Sequence, residues 1–140
     1  MGTPSSPDHP EEHFAFLQRG AKKANRSLED LNLCGSTRIE IGDDVDAMIE
    51  KRKPAVAFNM GGMGSGTTNF YNDAFKRAGC KEDAVAIQAL WLAGKRDEAA
   101  KRVPDAMVTE FQALGTRDMI AARLKAYQEA GVTTLKLGLD

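Results

Sequence analysis

Apolar residues recur at helical spacing through most of the chain and alternate with polar ones in only two places. Pro10 suits the first turn of a helix, where its missing N–H is not needed. From there Phe14, Leu17, Ala21 and Ala24 give one apolar face, and the helix fades near Asn25. Residues 26–30 read as a turn that Ser27 caps. Residues 31–41 alternate apolar and polar at both ends, which predicts a strand that Gly42 ends. Asp43, Asp44 and Asp46 then gather where a helix N-terminus favours negative charge. Val45, Met48 and Ile49 carry that helix inward. Pro54 is expected to kink or restart it, and residues 55–60 continue as an apolar segment.

The next stretch departs from both patterns. Gly61, Gly62, Gly64 and Gly66 fall among Met63, Ser65, Thr67, Thr68 and Asn69, followed by Phe70, Tyr71 and Asn72. Glycine reaches conformations closed to other residues and lets another group approach the backbone. The mixture fits a loop that folds over a ligand, or a plain turn between helices. Ordering it costs backbone entropy, so residues 61–69 are expected to be poorly ordered without a ligand or neighbouring loops.

Beyond it, residues 72–78 read as a helix stopped by Gly79. Residues 82–93 are apolar on nearly every side, which predicts a buried helix and a buried Trp91. A short charged helix covers 96–102. Another runs from Pro104 to Leu114. Thr116 caps a further helix whose inner stripe is Ile120, Leu124 and Tyr127, and Gly131 stops it. Residues 133–139 form the second predicted strand. The two strands, joined through a long helical connection, are expected to be parallel neighbours. Parallel strands normally belong to a sheet covered on both faces. Two strands cannot make one, so the chain reads as part of a larger α/β structure.

Composition narrows the function classes. The 140 residues fit one domain, with residues 1–9 as an irregular lead-in and 10–140 as the folded part. With a formal net charge of -1 and 6% aromatic residues, there is neither a broad cationic field nor a base-stacking surface for nucleic acid. No segment approaches a membrane span, and residues 1–7 lack the pattern of a signal peptide. Cys34 and Cys80 lie in unrelated contexts and read as reduced thiols, so the chain is expected to be cytoplasmic.

Candidate chemistry is sparse. His9 and His13 match H-x-x-E-H, but His9 precedes Pro10 and no third ligand is indicated, so no metal site is assigned. The glycine spacing shares features with dinucleotide-binding loops, which need a strand immediately before them, and here a helix comes first. Arg38 and Glu40 on the first strand could face a pocket or a solvated strand end.

Gly61-Gly62-Met63-Gly64-Ser65 followed by Asn69-Phe70-Tyr71-Asn72 resembles a segment of the luciferase-like oxidoreductases, especially their deazaflavin-dependent branch. Residues 26–30, 41–46, 92–95, 103–105 and 130–135 match the same family in the same order. The resemblance implies an α/β, helix-rich fold: the C-terminal part of a (β/α)8 TIM barrel with two parallel strands and about seven helical segments. Residues 31–41 would be the seventh barrel strand and 133–139 the eighth. It also implies a flavin or deazaflavin cofactor, FMN or coenzyme F-420, and hydride transfer or monooxygenation of a small organic substrate. By position, Thr3, Gly35, Ser36, Thr37, Gly61, Gly62, Gly64 and Ser65 would contribute to the cofactor pocket. No catalytic acid or base maps onto a residue present. The chain would be incomplete as an enzyme, its partner a second copy or a missing N-terminal barrel half. The other class left open is a non-catalytic, α-rich, self-associating interaction module.

Overall fold

The computed structural model describes residues 10–139, with side chains from residue 14 to residue 138. Residues 1–9, expected to be irregular and including Thr3 and His9, lie outside the described residues. Helix α1 (Pro10–Lys23) leads through a 3-10 turn (Leu28–Asp30) to strand β1 (Cys34–Ile41). Ser27 caps the turn as expected, its Oγ accepting from the Glu29 amide while the Asp30 carboxylate accepts from the Ser27 amide. Strand β1 therefore starts three residues later than the alternation predicts.

Helix α2 (Val45–Gly61) opens on Asp44, whose carboxylate accepts from the Ala47 amide. It continues through Pro54 without the restart that the proline could have caused. Pro54 is exposed, while Met48, Ile49, Val56, Ala57 and Met60 on both sides of it are buried. That packing outweighs the single backbone hydrogen bond the ring removes. Four more helices follow: α3 (Phe70–Arg77), α4 (Lys81–Leu92), α5 (Arg96–Lys101) and α6 (Asp105–Phe111). Together with α2 they enclose the larger core, built on Met60, Phe75, Ile87, Val103, Met107 and Val108.

The helix expected to reach Leu114 ends at Phe111. Residues Ala113–Gly115 form a third strand, β2, and α7 (Arg117–Glu129) and β3 (Thr134–Leu139) complete the chain. The sheet has three strands rather than two, in the order β2-β1-β3, all parallel. The expected neighbours pair in register from Cys34↔Thr134 to Ile39↔Leu139. Strand β2 joins only the C-terminal end of β1, from Ile39↔Ala113 to Ile41↔Gly115. Three residues are too few to show alternation, which is why the sequence pattern absorbs them into a helix. Gly115, at φ +125, ends the strand in a conformation that side chains disfavour.

Strand β2 links two cores. Leu114 joins the helical bundle, while Ala113 packs with Ile39, Ile120 and Leu124 of the smaller core under α7. The inner stripe of α7 is as predicted, with Ile120 and Tyr127 buried. Helix α4 differs from expectation. Ala84, Ile87 and Gln88 are buried, Trp91 is half-buried, and Val85 and Leu92 are exposed. The helix is apolar all round but covered on one side only. Among the described residues no helix is long and apolar enough to cross a membrane.

Candidate functional site

Strand β1 divides its residues between two environments. Thr37 and Ile39 are buried on the side that α7 covers, and a Cβ added at Gly35 would lie 3.2 Å from Leu135 and 3.3 Å from Val132. Cys34, Ser36 and Arg38 alternate with them and are exposed, as are Thr134, Lys136 and Gly138 on β3. Successive side chains of a strand point to opposite faces, so these six share one uncovered face. The start of the face is pinned by Asn32, whose Oδ1 accepts from the hydroxyls of Thr133 and Thr134, both at 2.8 Å. The Leu33 amide donates to Thr133 Oγ1 at 2.8 Å.

At the C-terminal end of the same face stands Glu40. Lys51 Nζ donates to its Oε1 at 3.0 Å, and Arg52 donates through Nε (3.2 Å) and Nη2 to its Oε2. Both cations come from the second and third turns of α2, so the pair ties the bundle to the sheet. The Arg52 hydrogen bonds, followed by that of Lys51, hold the Glu40 carboxyl below its usual value of 4.5. Near neutral pH it is a carboxylate acceptor and carries no proton to donate. Farther along α2, Lys53 Nζ pairs with Asp105 on α6 at 2.7 Å and with Glu50, and these two carboxylates raise its pKa.

The glycine-rich stretch has a different character. Gly61 is the last residue of α2 and is buried; a Cβ there would lie 2.2 Å from Trp91 Cγ. At Gly62 a Cβ would meet the Phe58 ring at 2.6 Å, and at Gly64 the Thr68 carbonyl at 2.3 Å. Ser65 Oγ accepts from the amides of Thr67 and Thr68, and the Ser65 amide donates to the Thr68 carbonyl. Asn69 caps α3, accepting from the Asn72 amide, and its Nδ2 donates to Met60 O at 2.8 Å. Asn72 Nδ2 donates to Met60 O and to Ala84 O. The stretch is thus a turn held by its own hydrogen bonds. Its two asparagines satisfy carbonyls at the end of α2, and its glycines admit Trp91 and Phe58.

Among the described residues no three His, Cys, Asp or Glu side chains gather as a metal site. Burial, with Glu110 and Asp83 nearby, pushes the Cys80 thiol up, so it stays protonated and weakly nucleophilic.

The model of the luciferase-like monooxygenases matches residues 1–134 of this sequence. The chain belongs to that family. Among luciferase-like relatives, a Mycobacterium tuberculosis protein named as a coenzyme F-420-dependent oxidoreductase is 35% identical over 120 residues, 86% of this chain and 34% of its own length. The 5,10-methylenetetrahydromethanopterin reductase of Methanopyrus kandleri is 30% identical over 124 residues, 87% of this chain and 33% of that protein. The solved structure of the coenzyme F-420-dependent tetrahydromethanopterin reductase from Methanopyrus kandleri superposes with a TM-score of 0.71 at 27% identity, over 99% of this chain and 38% of that one. The chain spans about a third of the length of the relatives it matches.

The structure separates the sequence-predicted site residues. Gly35, Ser36 and Thr37 lie in the first half of β1, and of the three only Ser36 is on the open face. Gly61, Gly62, Gly64 and Ser65 lie at the far end of α2, whose 17 residues span about 25 Å from the end of β1. Lys51, Arg52 and Lys136 were not singled out in the sequence. Register made Lys136 relevant, and sequence alone does not give register across a hundred-residue connection. For Arg52 a signal existed, since it is a cation about two helical turns past the start of the helix that follows Glu40.

Proposed function

We propose that this chain serves a coenzyme F-420-dependent oxidoreductase, with the coenzyme lying against the open face of the β1–β3 pair toward its C-terminal end. Three findings support the reading. The relatives at 35% identity and at TM-score 0.71 are both named for coenzyme F-420. Parallel α/β sheets bind ligands at the C-terminal ends of their strands. The open face is polar where helix-covered positions of the same strand are apolar or buried, and this last observation carries the proposal. FMN has no comparable support.

When bound, the deazaflavin supplies the hydride chemistry. The residues of this chain position and shape. On the open face Arg38 offers positive charge toward the C-terminal end, while the Ser36 hydroxyl and Lys136 lie nearer its start. Glu40, fixed by Arg52 and Lys51, presents a rigid carboxylate edge at the strand end. The substrate is a small organic molecule, and the remaining walls of the pocket come from elements beyond these three strands. Fluorescence titration with coenzyme F-420 and, separately, FMN tests this. Saturable quenching with coenzyme F-420 at concentrations where FMN has no effect is expected. Equal or tighter binding of FMN contradicts the choice of cofactor.

A further inference from the structure

Residues 54–72 and 84–94 contain no Asp, Glu, Lys or Arg, in a chain of which 28% is charged. The fold brings the two runs together. The second half of α2 exposes Pro54, Ala55 and Phe58 along one stripe, and α4 exposes Val85, Ala89 and Leu92 along another. The stripes meet side by side. The Phe58 ring lies edge-on to Trp91, with 5.7 Å between centroids, and a Cβ added at Gly66 would lie 3.2 Å from Leu92 Cδ1. Phe58 is 43% exposed, Val85 49% and Leu92 57%, although the opposite sides of both helices are buried in the larger core. Charge begins at the rim, where Arg96 lies over the Trp91 ring and Lys95 pairs with Glu98 at 3.2 Å.

We propose that this uncharged face of α2 and α4 docks a second copy of the chain, the same face of each copy meeting across a two-fold axis. A centre depleted of charge, holding aromatic side chains with Arg beside them, has the composition of an interface core. The charge pattern selects the occupant. A strongly charged partner, such as a nucleic acid or an acidic or basic peptide, would lose hydration against this face and find no counter-charge on it. The matching surface is another uncharged one, and the chain itself carries it. A two-fold arrangement sets such a patch against its own copy. The sheet face does not match it, because Arg38, Glu40 and Lys136 charge that face. Size sets the strength. Each stripe is about 12 Å long on a helix about 10 Å wide, so the face covers on the order of a few hundred Å². That is short of the roughly 800 Å² per partner of a standard interface, which makes the dimer reversible. The proposal does not rest on the coenzyme reading of the sheet face.

The experiment is sedimentation of the chain over a wide concentration range, with the emission of its one tryptophan recorded at each concentration. A monomer–dimer equilibrium is expected, with Trp91 emission moving to shorter wavelength in step with the dimer fraction. F58E/L92E should raise the dimer dissociation constant at least about tenfold, the scale of truncating an interface anchor. Isotope-filtered NOEs on a mixture of labelled and unlabelled parent chain need no variant to fold. They should join Phe58, Val85 and Leu92 of one copy to the same face of the other. L137K, at an exposed position of β3, distinguishes association through the sheet. A monomer at every concentration overturns the proposal, as does association that leaves Trp91 emission unmoved. Intermolecular NOEs centred on the sheet, or a dimer weakened by L137K and not by F58E/L92E, overturn it equally.

Discussion

Gly61 has no room for a side chain, because the Trp91 ring occupies the space where one would begin. Gly61→Ala should destabilise the chain by about 1–3 kcal/mol, the usual cost of overpacking, measured by denaturant unfolding. Unchanged stability would show that Trp91 can move aside freely. Asn72 makes the complementary case. It is fully buried, and its Nδ2 serves carbonyls of both α2 and α4. Asn72→Ala leaves those carbonyls short of a donor and should cost about 1–3 kcal/mol by the same measurement. The glycine-rich motif is what makes the family visible in the sequence, yet in the fold these residues act mainly through packing and capping. Glycine content alone does not separate the two roles, because close approach to a ligand and close approach to a tryptophan need the same missing Cβ. Ser36, by contrast, was legible as a site candidate only through its strand.

At the scale of elements, caps and periodicity carried most of the information. Ser27, Asp44 and Thr116 cap where side-chain chemistry says they should, and Gly79 and Gly131 stop helices at positive φ. Strand β2 was not legible, and neither was the one-sided burial of α4, whose apolar residues give no sign of which face stays open. The Glu40 clamp between β1 and α2 predicts a pH dependence. Because Glu40 is held below 4.5 in the folded chain, the unfolded chain takes up its proton first as pH falls. Its contribution is therefore complete above about pH 4.5 and is lost as pH drops through the lower folded value. Comparing the parent with Glu40→Gln across this range should show a stability gap at neutral pH that closes in acid. A gap that widens in acid would contradict the assignment. The Lys53 pairs run the other way: they contribute below the usual lysine value of 10.5 and fade only above it.

At the scale of the molecule, a three-stranded parallel sheet is covered by α7 on one side and has an open polar face on the other. Its β3 edge is free of the other described strands, and the start of β1 is unpaired on the β2 side. Unpaired edges and exposed apolar side chains such as Leu92 and Leu137 invite association. Sedimentation across a wide concentration range should show self-association, and a monomer throughout would contradict it. The parallel pairing of β1 with β3 was legible because a long helical connection dictates it, whereas the open face emerged only once register was known. The most direct test of that face is amide shift mapping of the chain with coenzyme F-420. Perturbations at Ser36, Arg38, Glu40, Lys136 and Gly138, with Gly62, Gly64 and Gly66 unmoved, are the expected result. Perturbations centred on the glycine turn, or none at the sheet face, would contradict the account.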